Sequence, residues 1–288
     1  MPALFSLGLN APLRTFAEEL QPTERVWAFL DDIYVTAEPP RVSGLHQRMG
    51  QLLQSTVGVR LHAGKTQVWN AAGAEPLGVR ELSPGGDCWL GDSSRPAEER
   101  GLRVLGLRVG SPPYVVRELA ALQVRQQRLF DLLPTVPDLQ SAWLLLLYCA
   151  GPRVHHALRG VRPELSEEFA DQHDQSVSQC LAALLQLPSL PEEAVLRAKL
   201  ALRHGGLGLR SARMHAEAAY WASWADCLPA MRSRFPDLAA VPQAQLELPC
   251  GAVLPSARSL ADARAPLVEA GADLPAWDSL GGPPRQDR

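Results

Sequence analysis

The sequence predicts an α+β protein in which a small antiparallel hairpin packs with helices, followed by a region that is helical almost throughout. Three observations carry that prediction. Residues 26–35 alternate as a strand, bend at two acidic residues and resume as a β-branched and aromatic strand. Helical periodicity flanks this unit on both sides, and beyond Ser111-Pro112-Pro113 nearly every segment repeats its apolar residues at helical spacing. With 288 residues, 46% of them hydrophobic, the chain is long enough for one large or two small domains with their own cores.

Taken in order, residues 3–20 place Leu4, Phe5, Leu7, Leu9, Leu13, Phe16, Ala17 and Leu20 near helical spacing, which predicts an amphipathic helix despite Gly8 and Pro12. Val26, Ala28 and Leu30 form one side of a strand, Asp31-Asp32 supplies the turn, and Ile33-Tyr34-Val35 continues as a second strand. Residues 44–57 return to helical periodicity through Leu45, Met49, Leu52, Leu53 and Val57, with Gly58 in a C-cap position. Val59-Arg60-Leu61-His62 and Gln67-Val68-Trp69 read as strand-like. The Gly- and Pro-bearing stretch 71–95 reads as loop with a short hairpin near Cys88-Trp89-Leu90, and residues 102–110 alternate as a strand. Helices are predicted over 115–133, 139–158, 164–187, 192–203 and 212–228. Pro134, Pro137, Pro163, Pro188 and Pro191 fall where helices should stop. After Pro236 the composition predicts marginal helices and a loose tail ending at Gly281-Gly282-Pro283-Pro284. The organisation expected is therefore residues 1–112, then a helical region 113–210, then a C-terminal helix and tail over 211–288.

Composition narrows the function classes. The N-terminus has no basic region leading an apolar run, and Leu144 to Leu147 is too short to span a bilayer, so a soluble, intracellular protein with no membrane partner is expected. Cys88, Cys149, Cys180, Cys227 and Cys250 are scattered and never spaced as Cys-x-x-Cys, which argues against a disulfide framework or a zinc site and predicts reduced, mostly buried thiols. The net charge of -3 does not announce nucleic acid. Its distribution is uneven, with ten arginines against five acidic residues between Arg95 and Arg162. Such a stretch either follows a phosphate backbone or is a solvated helix face.

Adjacent carboxylates at a bend flanked by apolar strands are costly to hold together without a cation, and hard oxygen ligands suit magnesium. The bland alternative for Asp31-Asp32 is an ordinary hairpin turn. Gly64-Lys65-Thr66 invites a phosphate-loop reading, but that motif would need glycine at Val59 and a helix after Thr66, so it is set aside. His155-His156 is a poor metal pair, because adjacent helical residues do not share a face. Asp171, His173 and Asp174 read as a solvated helix face, Trp143 to Tyr148 as buried core, and Trp221 with Trp224 as core in preference to a base-stacking platform.

Phe29-Leu30-Asp31-Asp32 resembles the aromatic-x-Asp-Asp hairpin of reverse transcriptases, and Met1-Pro2-Ala3-Leu4-Phe5-Ser6-Leu7 resembles the template-contacting helix that precedes it, cut at an internal methionine. Gly58-Val59-Arg60-Leu61-His62-Ala63-Gly64-Lys65-Thr66 resembles the glycine-to-lysine-threonine element of non-LTR retrotransposon polymerases. Leu105-Gly106-Leu107-Arg108-Val109-Gly110 is similar to their primer-gripping strand pair. His204-Gly205-Gly206-Leu207-Gly208-Leu209 and the Tyr220-Trp221 helix resemble the region after the thumb, so the likeness spans roughly residues 1–228.

The resemblance implies an N-terminally truncated reverse transcriptase. An incomplete polymerase palm over residues 1–112 would be followed by a helical thumb-like region over 113–210. The chemistry would be RNA-directed DNA polymerisation, with magnesium as cofactor and RNA template, DNA primer and deoxynucleoside triphosphates as partners. It implies Asp31 as metal ligand, Asp32 as its neighbour with a weaker or indirect role, and Phe29 supporting the hairpin from beneath. Lys65 would sit near the nucleotide phosphates as a general acid. Gly106, Arg108, Arg125 and Arg128 would contact nucleic acid. The family takes another metal-binding aspartate from an upstream strand, and residues 1–30 contain none. The chain alone is accordingly expected to be inactive; the alternative is a non-catalytic remnant that binds nucleic acid or protein.

Overall fold

A computed structural model describes residues 2–246 and 254–275. They are mostly helical with two small antiparallel hairpins, an α+β arrangement. The chain divides into two compact units, Met1–Val104 with Val109–Tyr114, and Leu105–Arg108 with Val115–Arg288.

In the first unit, helix α1 (Pro2–Glu18) turns Leu9 and Phe16 inward, where they meet Leu45, Met49 and Leu53 of helix α2 (Val42–Val57). Strands β1 (Arg25–Phe29) and β2 (Asp32–Thr36) lay Val26 and Ile33 on the same core. The stripe that faces inward is narrower than the sequence predicts: Leu4 and Leu7 are 70% and 71% exposed. Helix α2 ends as expected, at Gly58 in the left-handed conformation (φ 69°), with the Val59 N–H reaching back 3.3 Å to the Leu53 carbonyl.

The strand predicted over 59–62 does not form; that segment leads into a 3-10 turn at Ala63–Lys65. The hairpin predicted near Cys88-Trp89-Leu90 is also absent. Val68 and Trp89 instead form a single parallel bridge. The reason is local packing. Trp89 folds over Gly91, where a Cβ would come within 2.4 Å of the indole, and joins Val79, Leu82 and Cys88 in a small separate core. Strands β3 (Gly101–Val104) and β4 (Leu107–Gly110) make a second hairpin where one strand was predicted, because Leu105 (φ 50°) and Gly106 (φ 83°) both adopt left-handed backbone and reverse the chain in two residues.

The second unit is a helical assembly. Helix α3 (Pro112–Leu132) packs on α6 (Pro163–Leu184) through a polar seam: Gln123 and Gln126 are buried, and Gln123 Nε2 donates to Ser176 Oγ at 2.9 Å. Val124, on the opposite face, is 75% exposed. The helix predicted over 139–158 is broken. Helix α4 (Leu139–Leu145) passes into a π-turn at Leu146–Ala150 and a 3-10 turn at Gly151–Val154 before α5 (His155–Gly160). Pro152 is the cause, since it removes a donor inside the helical run. Of the 143–148 run only Leu146 is fully buried, while Tyr148 is 66% exposed.

Helix α7 (Glu192–Lys199) follows, and α8 (Ala212–Arg234) continues through Pro229, further than predicted. From Pro236 the helices expected there form as α9 (Pro236–Leu246) and α10 (Pro255–Glu269). Leu260 and Ala263 of α10 bury against Tyr220, with Trp221 and Trp224 packed beside them, so the tryptophan pair is core. The predicted Gly-Pro end lies outside the described residues, as does Cys250. Of the other cysteines, Cys88 and Cys180 are buried whereas Cys149 and Cys227 are exposed, so the expectation of mostly buried thiols holds for half of them.

Candidate functional site

The β1–β2 register pairs Arg25 with Thr36, Trp27 with Tyr34 and Phe29 with Asp32, which leaves Leu30 and Asp31 as a two-residue turn. The turn is therefore shifted by one residue from the Asp31-Asp32 bend expected. Asp32 is already a strand residue, on the same face as Trp27, Phe29 and Tyr34. Alternation puts the other face, with Val26 and Ile33, on the core. Phe29 consequently points away from the core and is 57% exposed, so it does not support the hairpin from beneath.

The two carboxylates differ in their surroundings. Tyr34 Oη donates to Asp32 Oδ2 at 3.3 Å, the bond expected of residues two apart on one strand face. Asp31 is exposed on the turn, and among the described residues no hydrogen bond or ion pair engages it. The turn is strained: Leu30 has a φ of 58°, a left-handed conformation uncommon for a bulky side chain. Backbone strain of this order, about 1–3 kcal/mol, concentrates at functional turns.

The upstream acids lie elsewhere. Glu24 precedes β1 at the open end of the hairpin, roughly 15 Å along the strand from the turn. Its side chain is fully buried against Arg41 Nε at 2.9 Å, and Glu24 Oε2 accepts from the Gln21 N–H at 2.8 Å. Glu19 sits on the surface, where the Arg48 guanidinium grips it in a fork and holds its carboxyl below the usual range. Neither is placed to complete a site with Asp31.

Lys65 is exposed at the end of its 3-10 turn, which His46 braces by a 3.2 Å contact between its Nε2 and Thr66 Oγ1. Burial lowers the His46 pKa. Among the described residues no hydrogen bond or ion pair joins Lys65 to the acidic turn.

The remaining candidates belong to the second unit. Gly106 is at the tip of the β3–β4 turn, and Arg108 folds back so that its Nη1 donates to the Gly106 carbonyl at 2.7 Å. Arg125 and Arg128 are exposed on α3, beside Val124, and no bond engages them among the described residues.

Three groups escaped the reading of the sequence. His173 and Asp174 are not solvated. His173 is 1% exposed and its Nε2 donates to the Gly151 carbonyl at 3.0 Å, satisfying an acceptor exposed by the break before α5. Asp174 accepts from the Ala212 N–H at 2.6 Å and from Ser211 Oγ, and lies 3.5 Å from Lys199 Nζ, so it fastens the start of α8. His156 Nε2 donates to the Leu105 carbonyl at 3.1 Å. Periodicity carries no signal for any of these, because each partner is distant in sequence.

Among the described residues no helix is long and apolar enough to cross a membrane, and no group of three or more His, Cys, Asp or Glu is placed to hold a metal. No family model, curated protein or solved structure matches this chain.

Proposed function

We propose that residues 1–112 are part of a reverse transcriptase palm, that the helical region after them serves as its thumb, and that the Leu30–Asp32 tip is this chain's share of a nucleotidyl-transfer site. The observation that carries the reading is the turn: a carboxylate that no group among the described residues engages, raised on an exposed two-residue tip by a leucine held at φ 58°.

Magnesium takes hard oxygen ligands and commonly uses one or two carboxylates, with water and substrate phosphates completing its shell. Asp31, with Asp32 beside it, fits one such ion; the described donor set does not extend to the pair of ions used in nucleotidyl transfer. When bound, the ion would supply charge that favours attack by a primer 3′-hydroxyl. Asp31 contributes an accessible carboxylate, Tyr34 orients Asp32, and Lys65 contributes an exposed cation for nucleotide phosphates. Residues 1–30 supply no aspartate, so the chain alone is expected not to extend a primer.

Titration with Mn2+ followed by electron paramagnetic resonance tests the turn. One weak site lost in Asp31→Asn is expected, and an unchanged titration would remove the basis for the reading. Primer extension with magnesium tests the incompleteness: activity in the wild type that disappears in Asp31→Ala would show that no further carboxylate is needed.

A second reading, nucleic-acid binding without catalysis, is favoured by the unengaged Arg125 and Arg128 on α3. It expects salt-dependent RNA binding that survives Asp31→Ala and weakens in Arg125→Ala/Arg128→Ala.

A further inference from the structure

We infer that His156 is a positioning residue for the β3–β4 tip, holding the turn in the shape in which Gly106 and Arg108 meet a nucleic-acid backbone. The inference rests on the polymerase reading for what the tip contacts, but the positioning itself is argued from geometry.

The tip is an energetically demanding piece of chain. Leu105 at φ 50° and Gly106 at φ 83° are both left-handed, and only Gly106 is free of a Cβ penalty there. A two-residue turn of this kind matches the twist of its strands, but a bulky residue at the first position works against it. Contacts from α5 oppose that cost at two points. His156 Nε2 donates to the Leu105 carbonyl at 3.1 Å, and lies only 3.3 Å from where a Cβ on Gly106 would stand. One turn further along α5, Gly160 leaves room for Leu107: a Cβ at Gly160 would sit 2.3 Å from Leu107 Cδ2. The tip is thus clamped by a hydrogen bond on one residue and a side chain seated against a glycine on the next but one.

The clamp reaches the candidate contact residues through the backbone. Fixing the Leu105 carbonyl fixes the Leu105–Gly106 peptide plane. The next carbonyl, that of Gly106, accepts from Arg108 Nη1 at 2.7 Å and so sets where the guanidinium rests. With His156 absent, the left-handed Leu105 has one fewer contact to hold it, and the tip relaxes toward conformations that misplace both Gly106 and Arg108. His156 touches no substrate in this scheme; it acts through the turn.

The test uses the full chain and an RNA–DNA primer–template duplex with a fluorescein-labelled primer, read by anisotropy, together with hydrogen–deuterium exchange over residues 101–110. His156→Ala is expected to speed exchange at the tip and to weaken duplex binding about fivefold, the effect of one lost hydrogen bond. His156→Gln, which keeps a donor, should restore most of both. Arg108→Ala should weaken binding, with little further loss when His156→Ala is added, because both act through one contact.

Unchanged exchange and unchanged affinity in His156→Ala overturn the inference, as does a loss that His156→Gln fails to rescue. If His156→Ala speeds exchange and the wild-type chain binds no duplex, the tip's role in nucleic-acid contact fails, and the polymerase reading with it, while the clamp stands. A far-UV circular dichroism melt identifies any variant that has merely unfolded; in that event Gly160→Ala, which dislodges Leu107 at the clamp's other point, must reproduce the loss of binding or the inference falls.

Discussion

Replacing Asp174 by alanine should loosen the start of α8 and cost the helical unit about 3 kcal/mol. The side chain is 12% exposed and serves three partners. Its bond to the Ala212 N–H, at 2.6 Å, takes up one of the amide donors that a helix start leaves unpaired. Its contact with Ser211 Oγ orients the residue that caps α8, whose Oγ in turn accepts from the Met214 N–H at 3.3 Å. Hydrogen bonds to a charged group contribute about 1.5–3 kcal/mol each, and a lost helix cap costs about 1 kcal/mol. The Lys199 ion pair adds less, since the lysine is 29% exposed and solvent screens it. These contributions share one carboxylate and do not sum, so about 3 kcal/mol is the expected total. Asp174→Asn keeps one acceptor and should cost about half as much. Urea denaturation read by tryptophan fluorescence measures the loss, and hydrogen exchange in residues 212–220 localises it. A variant within about 0.5 kcal/mol of wild type, the range of an ordinary surface change, would refute the reasoning.

Acid should weaken the helical unit. Burial lowers the pKa of His173, and burial together with nearby His215 and Arg210 lowers that of His155, so the folded state resists protonation that the unfolded chain accepts near 6.5. Stability is then complete above that value and declines as pH falls below it; denaturation midpoints at pH 7.5 and 5 should differ, and by less in His173→Gln. Leu30→Gly should be neutral or stabilise the first unit by up to about 1 kcal/mol by relieving left-handed strain, whereas Leu30→Val should destabilise it, as thermal melts would show. In a Cys250→Ser background, thiol titration of the native protein should modify Cys149 and Cys227 promptly. Cys180, whose thiol burial pushes up to about 11, and buried Cys88 should react only on unfolding.

The amino-acid sequence by itself determined the parts that depend on near neighbours. Alternation over Val26–Ala28 and Ile33–Val35 specifies the β1–β2 hairpin, the Leu45–Met49–Leu53 spacing specifies α2, and Gly58 marks its end, because each is a short-range pattern of burial or backbone freedom. The turn moved by one residue, to Leu30–Asp31, without changing which face meets the core, because a two-residue loop at either position leaves Val26 and Ile33 on the same side. Tertiary structure alone decided the rest. It decided which polar residues of α3 turn inward, burying Gln123, whose Nε2 donates to Ser176 Oγ on α6, and leaving Val124 exposed. It made Asp174 a fastening for α8 and gave His156 the Leu105 carbonyl, 51 residues away in the chain. A hydrogen bond across such a separation leaves no periodic trace, so only the folded arrangement of α5, α6 and α8 could reveal which polar residues are structural and which, like Asp31, remain unengaged.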